Sequence, residues 1–124
     1  MGREYICSNP DMPFADAVLV DGVTLYLSGR IGLLEGRFAV PEVIEDEAHR
    51  LMQDTSRILA LAGMQMDDFV QLQIFCSDVS LWERFNAVYR TYFKQQLPPR
   101  AFLGSGTLLF GAHFELQGIA VKRS

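Results

Sequence analysis

The stretch PPRAFLGSGTLLFGAHFELQGIAV, Pro98–Val121, decides the fold. Pro98 and Pro99 cannot continue a helix, so they end the preceding element and launch an extended segment. Strand side chains alternate, which places Arg100, Phe102 and Gly104 on one face. In a second strand Phe114, Leu116, Gly118 and Ala120 form one face, and His113, Glu115, Gln117, Ile119 and Val121 the other. A glycine-punctuated connection joins the two. The Arg100 cation and the Glu115 carboxylate are thus expected on a common sheet face, where a surface salt bridge is the plainer alternative.

Working backwards, Asp68–Asp78 alternates Val70, Leu72, Ile74 and Cys76 with Phe69, Gln71, Gln73 and Phe75, the pattern of a strand. Ser80 with Glu83 three residues on predicts a capping box, opening a helix whose face carries Trp82, Phe85, Val88, Tyr89, Tyr92 and Phe93. A longer helix is predicted from Pro41 to Ala62. Proline suits its first position, and Glu42, Glu45, Asp46 and Glu47 crowd its positive end. Ile44, Ala48, Leu51, Met52, Ile58, Leu59 and Ala62 give its buried stripe, and Gly63 supplies a left-handed stop. Near the start, Arg3–Ser8 reads as a short strand, and Asp21-Gly22 as a two-residue turn between hairpin strands.

The predicted order is therefore strands, helix, strand, helix and two strands, an α+β fold with a mixed sheet and two helices packed on one face. No repeat or linker interrupts it, so residues 1–124 form a single domain, long enough for a core without disulfides or metal staples. By simple alternation the open face carries Thr24, Tyr26, Ser28, Gln71, Gln73, Phe75, Arg100, Phe102, Glu115, Gln117, Ile119 and Val121. Such a half-polar, half-aromatic surface predicts a homo-oligomer with ligand clefts between subunits.

Eleven basic and fifteen acidic residues leave a net charge of −4, with no run of Lys or Arg, which disfavours a general nucleic-acid binder. Cys7, Cys76, His49 and His113 show no metal-ligand spacing, so no metal is expected and His113 reads as structural. No signal peptide or apolar span is visible, and the expected setting is cytoplasmic, away from membranes.

Several segments resemble the Rid (YjgF) family of reactive intermediate deaminases. They are Pro13-Phe14-Ala15, AVLVDGVTLYLSGRIG (17–32), AGMQMDDFVQLQIFCSDVSLWERFNAVYRTYF (62–93), PPRA (98–101) and FELQGIAVKR (114–123). The resemblance runs in order over nearly the whole chain. It implies a chorismate-mutase-like fold, a homotrimer with active sites in the inter-subunit clefts, and no cofactor. It also implies hydrolysis of reactive 2-imino and enamine acids to 2-oxo acids and ammonia, as in 2-iminobutanoate/2-iminopropanoate deaminase.

Arg100 stands at the family's carboxylate-binding arginine, a role suited to a planar guanidinium. Glu115 matches the acidic residue that holds the attacking water. Ser28 and Gly29 match the glycine turn beside the ligand, and Asn86 a position that shapes the site. Phe14 stands where the best-known deaminases of the family carry tyrosine, and Phe102 where a small residue, often cysteine, is found. Arg30, read here as solvated, replaces a frequent glutamine, and Gln117 a second glutamate. These departures predict a pocket reshaped toward a bulkier or more acidic substrate. A small-carboxylate-binding regulatory trimer without turnover is the alternative. RNA cleavage or translation inhibition is the third reading, which the acidic balance disfavours.

Overall fold

The sequence pattern resolves into eight main elements in a computed structural model that describes residues 2–124. They are β1 (Arg3–Ile6), β2 (Ala17–Val20), β3 (Thr24–Arg30), α1 (Ile44–Leu61), β4 (Phe69–Cys76), α2 (Trp82–Tyr89), β5 (Arg100–Gly104) and β6 (Phe114–Val121). The strands form one mixed sheet in the order β1-β2-β3-β6-β4-β5, with β4 and β5 parallel and the other neighbours antiparallel. Both helices cover one face. Leu25, Leu72, Ile74 and Leu116 of the sheet share a continuous core with Leu51, Met52, Ile58 and Leu59 of α1 and Phe85 of α2.

The last two strands are not neighbours. β4 lies between β5 and β6, because a parallel partner needs a long crossover, and the segment holding α2 supplies one. Register then fixes the faces. Leu72 pairs with Arg100 and Ile74 with Phe102, whereas Phe75 pairs with Glu115. Leu72 and Ile74 are fully buried against the helices, so Arg100 and Phe102 lie on the helix-covered face and Glu115 on the open one. The common face expected from simple alternation does not form.

Local signals mostly hold. The β2–β3 hairpin turns through Asp21 and Gly22, both with positive φ, but Val20 pairs with Thr24, so the connection is one residue longer than expected. Gly63, at φ +73°, ends α1. Its N–H donates to the Ala60 carbonyl while the Met64 N–H reaches back to Leu59, which satisfies carbonyls the helix leaves open. The predicted Ser80–Glu83 capping box is absent. Asp78 instead accepts from both the Ser80 N–H and its hydroxyl, and a 3₁₀ turn at Val79–Leu81 precedes a shorter α2. A register shift between Phe69 and Gln71 buries Phe69 and exposes Val70, the reverse of unbroken alternation.

One buried charge-bearing side chain ties the layers together. Glu47 of α1 has no exposed surface, yet it accepts hydrogen bonds from the backbone N–H groups of His113 (2.7 Å) and Phe114 (3.2 Å). Its other oxygen meets His113 Nδ1 at 2.7 Å. His113 and Phe114, the two residues ahead of Glu115 at the entry to β6, are thereby fixed to the helix layer. Burying a carboxylate is tolerable only with its hydrogen bonds made.

Glu47→Ala strands the buried Phe114 amide and the part-buried His113 amide and is expected to lower unfolding free energy by about 3 kcal/mol, with Glu47→Gln losing clearly less. Urea unfolding measures both. An unchanged midpoint for Glu47→Ala would show that the clamp contributes nothing.

Candidate active site

Two clusters hold the candidate residues, one at each end of the strand register. The first surrounds Arg100, at the start of edge strand β5. Its guanidinium carbon lies 4.6 Å from the centroid of the Tyr89 ring and 5.3 Å from that of Phe102. Both are stacking distances for a cation over an aromatic face. Phe102 in turn packs on Phe85, at 5.7 Å between centroids, so its ring is a fixed wall. Among the described residues no carboxylate pairs with Arg100.

Asn86 and Tyr89 project from the same side of α2, three residues apart. The Asn86 Oδ1 and the Tyr89 hydroxyl are both buried and, among the described residues, lack a hydrogen-bond partner. Burial pushes the Tyr89 phenol up to about 12, against the pull of Arg100, so it stays protonated. Burial also draws Arg100 below its ordinary value. A half-buried cation without a counter-ion beside two unsatisfied polar atoms leaves a deficit that an anionic, hydrogen-bonding ligand would fill.

The second cluster lies where β3 meets β6. A bulge between Leu27 and Arg30 inserts one extra residue, so Arg30 pairs with Leu116 instead of Glu115. Ser28 and Gly29 occupy the bulge. A Cβ on Gly29 would collide with the Glu115 carboxylate oxygen Oε2, so the carboxylate rests directly on the glycine backbone. The Ser28 hydroxyl donates to the Ala15 carbonyl at 2.6 Å, and its N–H to the Asp16 carbonyl at 2.9 Å. Phe14, just upstream, is half exposed.

The bulge also turns Arg30 to the helix side. Expected to be solvated, its side chain is only 11% exposed and forms ion pairs with Asp16 and with Asp54 of α1. Burial alone would raise the Asp16 carboxyl, but hydrogen bonds from Arg30 and Ser8 outweigh it and hold the group below its ordinary value. Arg30 is likewise raised, because its two carboxylates overcome desolvation.

Ser28, Gly29 and Glu115 are thus brought together, with Phe14 one residue before the Ala15 that Ser28 bonds, and Arg100 and Phe102 meet beside the α2 turn that carries Asn86. The two sets do not meet within one chain. Strand spacing separates Arg100 and Glu115 by about 10 Å across the sheet and about 10 Å along it, on opposite faces. On the open face, Tyr26, Gln71, Gln73, Gln117 and Ile119 of β3, β4 and β6 line a groove of about 260 Å³. Tyr26 and Val70 are nearly half exposed there.

The roles of Tyr89 and Glu47 escaped sequence reading. A signal existed for Glu47, which falls three residues after Ile44 on the apolar stripe of α1. Among the described residues no cluster of three His, Cys, Asp or Glu could hold a metal, and no helix is long and apolar enough to cross a membrane.

Comparison with known proteins adds a second line. The family profile described as Endoribonuclease L-PSP matches residues 8–122. The 2-iminobutanoate/2-iminopropanoate deaminase of Mus musculus is 33% identical over 112 residues, covering 89% of this chain and 82% of that protein. The Rid-family protein YyfA from Yersinia pestis, of unknown function, has a TM-score of 0.89 at 26% identity, covering 98% of this chain and 100% of that one. E. coli TdcF, solved with bound serine, shares the fold with a TM-score of 0.86 at 20% identity, covering 97% and 100%.

The Arg30 network makes a pH prediction. Asp16 is lowered in the folded chain, so its contribution to stability is present above the unfolded value, near pH 4, and is lost as pH falls through the folded value. Asp16→Asn is expected to be less stable than wild type at pH 7, with the gap narrowing as the pH falls below the ordinary carboxylate range. Urea midpoints across that range test it. A gap that stays constant with pH would contradict the pairing.

Proposed function

The chain belongs to the endoribonuclease L-PSP family, also called the YjgF or Rid family, and from that premise we propose that it hydrolyses reactive 2-imino and enamine acids to 2-oxo acids and ammonia. The observation that carries this reading is Arg100, half buried, stacked on Tyr89 and without a carboxylate partner among the described residues. A planar guanidinium in that setting takes a substrate carboxylate through two charge-assisted hydrogen bonds. The relative named as an imine deaminase supports the same chemistry.

Arg100 needs a partner set that its own chain does not bring to it. A homotrimer with sites between subunits supplies one: Arg100, Phe102 and Asn86 of one subunit face Phe14, Ser28, Gly29 and Glu115 of the next. The exposed aromatic and aliphatic groups on the open sheet face support such an assembly. With the carboxylate held by Arg100, Glu115 orients a water toward the imine carbon and takes its proton. Addition gives a tetrahedral carbinolamine. Proton transfer to its nitrogen and cleavage of the carbon–nitrogen bond release ammonia and leave the 2-oxo acid. Every atom comes from substrate and water, so no cofactor enters the balance.

Binding without turnover is the second reading, favoured by Phe14, which brings no hydroxyl to the site. TdcF, solved with bound serine, is a relative in fold that holds a small amino acid. Nucleic acid fits poorly. The net charge is −4, and Arg30, Arg57, Arg84 and Arg123 are engaged in ion pairs.

An amino-acid oxidase generating 2-imino acids in the presence of semicarbazide tests the proposal. Wild type is expected to slow semicarbazone formation, and Arg100→Ala to lose at least about 100-fold in kcat/KM. Glu115→Ala and Gly29→Ala, which forces the carboxylate away, are expected to lose about 100-fold in kcat while still binding 2-oxo acids. Wild type without effect on any imine, yet binding small carboxylates, would replace the deaminase by the binding protein.

A further inference from the structure

Asp16 is a node where several bonds converge. Its carboxylate pairs with Arg30 through Oδ1 and accepts the Ser8 N–H through Oδ2 at 2.6 Å. Its backbone N–H donates to the Ile6 carbonyl at 2.8 Å, and its carbonyl accepts from Ser28. The segment between β1 and β2 carries Phe14 and forms no helix or strand of its own. Asp16 is therefore its main attachment to the sheet.

Arg30 is held from the opposite side. Nε donates to Asp54 Oδ2 at 3.0 Å and Nη2 pairs with the same carboxylate, which leaves Nη1 for Asp16. One rigid fork thus joins helix α1, the β3 bulge and the Phe14 segment. A lysine, with one flexible ammonium, cannot span both carboxylates in that geometry. Exposed ion pairs contribute little, but this guanidinium is 11% exposed and its loss would leave Asp16, itself 14% exposed, without its counter-ion.

We propose that Arg30 is a positioning residue that fixes the Phe14–Asp16 segment against the Ser28–Gly29 bulge and so sets one wall of the substrate pocket. The wall it controls is built on Ala15 and Ser28, with Phe14 next to Ala15 in the chain. Ala15 and Ser28 also line a groove of about 260 Å³ with Tyr5, Ala17, Val18 and Tyr26. Through this wall Arg30 governs substrate fit and leaves the water-activating Glu115 in place. That functional consequence rests on the deaminase reading, while the mechanical link does not.

The test combines amide hydrogen exchange by NMR with imine kinetics on the full chain, using Arg30→Gln, Arg30→Lys and the neutral pair Asp16→Asn/Arg30→Gln. Arg30→Gln is expected to speed exchange at Ser8 and Ser28 about tenfold or more while Leu72, Ile74 and Leu116 stay protected. KM is expected to rise at least about fivefold, with kcat within about twofold of wild type. The neutral pair, which can hydrogen-bond without charge, is expected to recover most of both effects, and Arg30→Lys only part. Unchanged exchange at Ser8 and Ser28 overturns the proposal, and so does faster exchange with an unaltered KM. If wild type turns over no imine, the deaminase reading fails, and the exchange result alone decides whether Arg30 positions the segment.

Discussion

β4 lies between β5 and β6, paired in parallel with one and antiparallel with the other, and this single arrangement dictates where the chemistry can occur. The Leu72–Arg100 pairing commits the cation to the helix side of an edge strand. The Phe75–Glu115 pairing commits the carboxylate to the open side. No rotamer change bridges opposite faces of a sheet, so residues that are close in sequence pattern are kept apart in one chain. A cleft that needs both groups must be closed by a second copy. The open face leaves Tyr26 and Val70 nearly half exposed, and a glutamine-lined groove runs along it.

The remaining devices hold each half of that arrangement in place. Glu47 pins His113 and Phe114, at the entry to β6, to α1, which holds the strand that carries Glu115. The β3 bulge creates the glycine seat for its carboxylate and turns Arg30 inward to the two aspartates. On the other side Phe85, Phe102 and Tyr89 form an aromatic base under Arg100. Tyr89 and Asn86 hold polar atoms there without partners, a cost that protein cores rarely carry unless a ligand or neighbour removes it.

Local order was legible because local physics sets it. Asp21-Gly22 marks a turn, Gly63 ends a helix, and the alternation from Leu72 to Cys76 survives in the folded strand. What the sequence could not convey were facts about two segments at once. The position of β4 between the final strands depends on the crossover through α2, and simple alternation therefore put Arg100 on the wrong face. A bulge is one residue of slippage, invisible to periodicity, yet it converts Arg30 from a solvated charge to a nearly buried one. His113 looked isolated because its partner, Glu47, is 66 residues away. The Ser80–Glu83 box lost to Asp78, which already offered a carboxylate to the same amide.

Subunit mixing tests the central claim most directly. Arg100→Ala and Glu115→Ala variants, each inactive alone, would be denatured, combined in equal amounts, refolded together and assayed for imine hydrolysis. If the site is built from Arg100 of one subunit and Glu115 of another, random assembly restores about a quarter of the sites, and activity returns to about a quarter of refolded wild type. Mixtures that stay as inactive as the separate variants, despite forming mixed oligomers, would contradict a site shared between subunits.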